Sequence, residues 1–451
     1  MSRAQQYLTF AAAILVTGVL SGIAGGFTTL VVKAIEHVAY GFTQGPLLTG
    51  VKDAPVERRL LGPAIGCALA GLGWMLLRRR ATVPDLNESI REGRRFAQVP
   101  MAVDALLQVL AVGSGASLGR EQAPRLFAAA STELLIRVGS IPPAHRQILL
   151  GSAAGAGLAA VYNVPAAGVL FALGLVLRTW RPLAVFVAVA TSSIATVTVW
   201  PITHGAPTFL WPDTHFTWKT FVFAITAMPL AAIVGTAFNG LIARVKPSVP
   251  PKSWTLIPAV GLAGLATGTA SIWMPQMPGN GKSIVLESLA GGDTLVAVAV
   301  AVVLKPVLTA LFIRAGAVGG MLTPALSTGV ATGAFVALAV DRLGGQASVP
   351  TLALIGGAAV LGVTQHAPVF AAVFTAELTH PPLEVWAMLL LAAVGAHVVR
   401  GAVTTGRWRR RDRRGSIPSA SARRTASRRR RRRARRVHVG RVCRWMIRCG
   451  S

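Results

Sequence analysis

The sequence predicts an all-α membrane protein assembled from two copies of one unit. Three observations predict it: an apolar composition, recurrent apolar stretches, and helix-breaking signals repeated about 200 positions apart.

The chain has 451 residues, 53% of them hydrophobic and 14% charged, with a mean hydropathy of +0.57. Soluble domains carry about 25% charged residues. Apolar stretches cover residues 10–32, 60–77, 182–200, 220–241, 256–272, 295–312, 351–363 and 385–399. Many reach the ~20 residues that a membrane span needs. Others are interrupted by Gly, Pro or a charge and predict tilted, re-entrant or partial helices. Non-helical backbone at membrane depth survives only where protein buries it or where it lines a water-filled cavity. The amino terminus, Met-Ser-Arg before a long apolar run, lacks a small-residue cleavage site and reads as a retained first helix.

The repeated signals come in two pairs. One pair is the hexamers G-R-E-Q-A-P (Gly119 to Pro124) and G-G-M-L-T-P (Gly319 to Pro324). The other is Y-N-V-P-A-A-G-V-L-F-A-L, ending at Leu173, and T-Q-H-A-P-V-F-A-A-V-F-T, ending at Thr375. Pro124 and Pro324 are 200 positions apart; Pro165 and Pro368 are 203 apart. Residues 1–200 are thus expected to form the first half of a transmembrane repeat and 201–406 the second. Residues 407–451 are expected to form an Arg-rich disordered tail. Paired Gly/Pro-interrupted segments at matching places in two halves point to a substrate site.

Net charge is +29, unevenly placed: residues 401–451 hold 19 Arg and one acid, Asp412. By the positive-inside rule the loop around Arg78, Arg79 and Arg80 is cytoplasmic, and so is the tail. Cys67, Cys443 and Cys449 give no disulfide framework.

The segments G-S-G-A-S-L-G-R-E-Q-A-P-R-L-F, G-S-A-A-G-A-G-L-A-A-V-Y-N-V-P-A-A-G-V-L-F and G-G-M-L-T-P-A-L-S-T-G resemble the CLC chloride channel and transporter family, over roughly residues 10–400. The second segment, with the G-R-E hexamer about forty residues upstream, is the most specific part. The resemblance implies an inverted-repeat bundle of tilted and partly re-entrant helices. It also implies a homodimer with one pore per subunit, in a bacterial inner membrane.

The physical logic is separate. A helix start exposes unpaired N–H groups and the positive end of a dipole. Several such starts at membrane depth hold an anion without a full positive charge, which would be costly there and would bind too tightly to release. Gly and Pro also mark ordinary helix breaks, and a single hexamer would be read that way; two matched hexamers point to an anion site. Backbone N–H groups of Arg120, Glu121 and Gln122 are expected at an outer site, and those of Met321 and Leu322 at a central one. The resemblance places Glu121 as the gate. A carboxylate and a chloride compete for the same donors, and protonation removes one competitor. The plainer alternative is a salt bridge to Arg120 or Arg125.

The chain departs from the family's pattern. Gln122 and Ala123 precede Pro124 where Gly-Pro is usual. The family's G-S-G-x-P falls on Arg80-Ala81-Thr82-Val83-Pro84, so Ala81 takes the serine position and Thr82 is its neighbour. Leu322 replaces a Phe, and no Tyr follows residue 400. Central binding is then expected to be weak and to rest on backbone donors. Exchangers of the family carry an inner glutamate where this chain has Gly174 and Leu175. Passive chloride conduction gated by Glu121 is therefore the leading expectation. Proton-coupled exchange is the alternative, and a membrane-anchored protein acting through its basic tail is a third.

Other candidates have plainer readings. Glu377 is expected to cap a helix end or join a salt bridge, and His366, at the place of Asn163 in the repeat, to stabilise a helix break. Pro278-Gly279-Asn280-Gly281-Lys282-Ser283 fails as a phosphate loop, because Gln276 stands where a Gly is required. No enzyme motif appears, no cofactor or metal site is implied beyond chloride as the transported ion, and no specific nucleic-acid partner is expected. The tail leaves three readings open: a lipid-headgroup contact, an electrostatic nucleic-acid contact, or a frame-shifted reading of the gene.

Overall fold

A computed structural model describes the backbone of residues 3–139, 141–212 and 218–415, with side chains except at 3, 144 and 403–415. Residues 1–400 form one compact unit. Residues 401–451 form a second, described only through 415, where it is helical. The expectations for the Arg-rich tail beyond that point lie outside the described residues.

The described residues are helical nearly throughout. The first half contains α1 (Arg3–Tyr40), α2 (Leu47–Asp53), α3 (Val56–Arg80), α4 (Leu86–Arg91) and α5 (Gln98–Gly113). It continues with α6 (Gln122–Val138), α7 (Pro143–Tyr162), α8 (Pro165–Leu170), which runs on as a π-helical turn over Phe171–Leu177, and α9 (Pro182–Thr203). Then follow α10 (Trp218–Val245), α11 (Leu256–Trp273), α12 (Lys282–Leu289) and α13 (Leu295–Ala315). The last four are α14 (Leu322–Arg342), α15 (Val349–Gln365), α16 (Pro368–Thr379) and α17 (Leu383–Gly415).

Eight of these helices are long and apolar enough to cross a membrane: α1, α3, α9, α10, α11, α13, α14 and α17, the last counted over Leu383–Ala402. Two adjustments to the sequence reading follow. The stretch 351–363 belongs to α15, which has only 17 residues, whereas α14, begun by the second hexamer, is among the eight. Exposed apolar side chains such as Leu15, Ile65, Phe186 and Val303 ring the outside, as a lipid-facing surface requires.

The helix breaks follow the repeated sequences. Asn163 ends α7 at φ 57°, and His366 ends α15 at φ 56°. Both sit in the left-handed region, which Asn and His enter more readily than most residues. Two residues later the chain starts a new helix on Pro165 or Pro368, at the first turn, where a missing N–H costs nothing. The Asn163 amide braces its break by donating to the Gly205 and Ala206 carbonyls at 2.9 and 3.0 Å, and it accepts from the Trp200 indole at 3.2 Å. His366 Nδ1 instead pairs with the Arg400 guanidinium.

Small residues set the closest helix contacts. A Cβ on Gly333 would strike the Leu352 carbonyl, and one on Gly356 would strike that of Gly329. Backbone-to-backbone approach of this kind is how helices pack where lipid offers no hydrophobic contrast. It locks α14 against α15. In this way the start of α14 is held deep inside the unit.

Candidate functional site

Three non-helical segments meet inside the molecule: 114–121 before α6, 274–281 before α12, and 316–321 before α14. Gly119 and Gly320 exchange two backbone hydrogen bonds, at 2.7 and 2.9 Å, the one antiparallel bridge among the described residues. Gly279 N–H donates to the Gly115 carbonyl at 3.1 Å. Lys305, fully buried, donates to the Met277 and Gly279 carbonyls at 2.9 and 2.6 Å. The Pro278-to-Ser283 turn is therefore a gripped internal turn. The sequence reading expected no full charge at this depth. Lys305 brings a titratable amine to this depth, and it has no carboxylate partner among the described ion pairs.

Both hexamers start helices. Glu121 precedes α6 and Met321 precedes α14, with Pro124 and Pro324 each at the third helical position. The Glu121 side chain does not cap its own helix. It reaches across to α14, where Leu322 N–H donates to Oε1 at 2.7 Å. The Thr323 hydroxyl donates to Oε2 at 3.1 Å and the Tyr162 hydroxyl to the same oxygen at 3.4 Å. Gly119 and Gly320 flank this carboxylate, and a Cβ on either would overlap it. Glu121 is 1% exposed. The salt-bridge alternative does not appear among the described residues. The Arg120 guanidinium lies over the Tyr162 ring at 5.2 Å. Arg125 donates to Asn87 Oδ1 at 2.6 Å and lies over Phe171 at 4.4 Å.

A helix start binds a carboxylate because its first N–H groups are unpaired and its dipole is positive there. Here the acid sits on the Leu322 donor that the sequence reading gave to a central anion. Two side-chain hydroxyls assist it, from Thr323 and Tyr162, where sequence reasoning expected backbone donors alone. Both residues lie inside the quoted motifs, but no sequence rule aims their hydroxyls at Glu121.

Immediately beside this contact is a cavity of about 440 Å³. Gln122 and Met321 line it, as do Ala81 and Thr82. Thus four of the expected anion-site residues share one cavity wall, and Glu121 and Leu322 sit in direct bond behind Gln122 and Met321. Its charged lining is Arg78, Asp85, Asp104, Lys246 and Lys252. Arg78 fastens the rim by donating to the Gly316 and Pro251 carbonyls at 2.8 and 3.2 Å.

Asp104 was missed from the sequence. It is 3% exposed on α5 and accepts from Trp74 Nε1 at 2.9 Å and Gln108 Nε2 at 2.7 Å. A lone acid inside an apolar helix, four residues before a Gln, was the available signal. The place expected for an inner glutamate, Gly174 and Leu175, falls in the π-helical turn, and Gly174 is exposed. Among the described residues no group of three His, Cys, Asp or Glu is placed to hold a metal ion.

Comparison with known proteins adds a family, two relatives and two solved structures. A family model described as "Voltage gated chloride channel" matches residues 66–401. A protein named ClcB-like from Ralstonia nicotianae is 30% identical over 405 residues, covering 84% of this chain and 91% of its own. The voltage-gated ClC-type chloride channel ClcB of Salmonella typhimurium is 28% identical, covering 85% of this chain and 93% of its own. Among solved structures, a slow cyanobacterial Cl⁻/H⁺ antiporter superposes with a TM-score of 0.74 at 20% identity, covering 87% of this chain and 94% of its own. A CLC-type fluoride/proton antiporter gives 0.68 at 20% identity, covering 89% and 97%. At that identity the likeness is one of fold.

Proposed function

The chain belongs to the voltage-gated chloride channel family, and from that premise we propose that it conducts chloride passively, with the Glu121 carboxylate as the gate. Anion transport is the family's property, and this chain is a multi-pass protein of the bacterial inner membrane. The passive mode and the gate are our reading. One observation carries it: the Glu121 carboxylate occupies the Leu322 N–H at the start of α14, beside the cavity wall.

In this reading chloride enters the cavity past Ala81 and Thr82 and reaches the helix starts at Gln122 and Met321. The ionised carboxylate bars the way, because it satisfies the donors that an anion needs. Protonation weakens it as an acceptor. It then leaves, and Leu322 N–H with the Thr323 and Tyr162 hydroxyls turns to chloride. The N–H groups of Arg120, Glu121, Gln122 and Met321 complete the path. These are partial charges, so the anion is held weakly enough to go on. Lys305 holds the Met277 and Gly279 carbonyls in place behind these donors. The absence of an acid at Gly174 and Leu175 supports passive conduction. The same reading carries a homodimer with a separate path in each subunit, which the subunit count of the purified protein checks.

The test is flux from proteoliposomes with chloride and proton movement recorded together. Chloride flux that rises on acidification, with no proton movement driven by a chloride gradient, is the expected result. Uphill proton movement driven by chloride would replace the passive reading by exchange.

A further inference from the structure

The cavity holds a second carboxylate that the gate does not use. We propose that Asp104 is a proton-binding site on the cavity side of Glu121, and that its charge sets how readily chloride enters from that cavity. This rests on the anion-conduction reading above.

Position is the first argument. Asp104 lies on the same wall system as Gln122 and Met321, so an anion bound for the helix starts passes through its field. Charge is the second. The cavity lining sets three cations, Arg78, Lys246 and Lys252, against two acids, Asp85 and Asp104. Arg78 comes from α3, Asp85 from the segment after α3, and both lysines from the segment after α10. Of the neighbours packed on α5, α6 gives the wall Gln122 and Leu126, which do not titrate, and α1 gives it nothing. The excess is one positive charge, and protonating Asp104 doubles it. Arg78 forms no ion pair with Asp104 among the described residues; its guanidinium is engaged by the Gly316 and Pro251 carbonyls.

The third argument is the partner. Gln108 is 1% exposed, and its Oε1 has no hydrogen-bond partner although it is buried. A buried amide oxygen left idle asks for an explanation. Gln108 Nε2 donates to Asp104 Oδ2 in the ionised state. Turning that amide over brings Oε1 to the same place, where it accepts from a protonated Asp104 Oδ2–H. Trp74 Nε1 donates to Oδ1 in both states. The pocket thus satisfies the carboxylate with and without its proton, which a purely structural acid does not require.

The experiment is chloride current in planar bilayers, with pH changed on one side at a time. Cavity-side acidification is expected to raise wild-type current roughly threefold to tenfold, the scale of one charge acting across a cavity of this size. Asp104→Asn keeps both hydrogen bonds by turning Gln108. It is expected to show the raised current at neutral pH, with the cavity-side response reduced to the part that Glu121 gives. Asp104→Glu is expected to restore the full response. Asp104→Asn current that keeps the full wild-type cavity-side response would overturn the proposal. Should Asp104→Asn not fold, infrared difference spectra decide in a Glu121→Gln background. A carboxylic acid band appearing on acidification and shifted by Gln108→Leu supports the site, and no such band overturns it. Wild-type protein that carries no chloride current overturns the conduction reading instead.

Discussion

Two carboxylates in this molecule rest on helix starts that are not their own. Glu121, before α6, lies on α14; Glu377, near the end of α16, lies on α8. Glu377 takes two successive backbone donors, Ala166 N–H at 2.9 Å on one oxygen and Ala167 N–H at 2.7 Å on the other. It is the cap that the sequence suggested, on a helix from the other half of the chain. Glu121 takes the Leu322 N–H on one oxygen and shares its second oxygen between two hydroxyls. The residues beside Glu121 and Leu322 open onto the cavity; none of those beside Glu377 lines it. The chemistry is the same in both places. What differs is that side-chain hydroxyls share the hold on Glu121 and that a cavity lies beside it. One arrangement fastens two helices, and the other suits a side chain that must leave.

That difference can be broken first at Glu121. Glu121→Gln removes a charge-assisted contact of about 1.5–3 kcal/mol. Chloride flux at high pH should rise tenfold to hundredfold and keep only the smaller cavity-side pH response that Asp104 gives. A variant with the wild-type pH profile would remove Glu121 from the gate. Glu377→Gln should do the opposite: about 1–2 kcal/mol of stability lost from the α8 start, seen as a lower unfolding temperature in detergent, with the flux profile against pH unmoved. A shifted profile there would mean that both acids gate.

Smaller changes sharpen the contrast. Thr323→Val removes a 3.1 Å donor to the ionised carboxylate. A donor to the charged form favours that form, so its loss makes protonation easier. The flux midpoint should move to higher pH by up to about one unit. Tyr162→Phe removes the longer 3.4 Å contact, and its shift should have the same sign and amount to a few tenths of a unit. A midpoint moving to lower pH in either variant would show that these hydroxyls hold the neutral acid.

Much of this was legible in the chain. The hexamers gave the two helix starts, because Gly and Pro punctuate a helix whatever surrounds them. Asn163 and His366 read as helix breaks for the same local reason. Nothing local announced which acid would meet which start. Glu121 and Leu322 are 201 positions apart and Glu377 and Ala166 are 211, so only packing brings them together. Asp104 was overlooked because one acid four residues before a Gln is a weak signal that does not tell which cavity it faces. The hydroxyls of Thr323 and Tyr162 were invisible because side-chain direction depends on the tertiary frame.

The paired hydrogen bonds between Gly119 and Gly320 have a mechanical meaning. They staple the approach to α6 onto the approach to α14, at the very spot where a rocking transporter would have to part its halves. A seam stitched there leaves a rotamer as the freest moving piece. On the gating proposed above, turnover would then be paced by one swinging side chain, with the scaffold standing still around it.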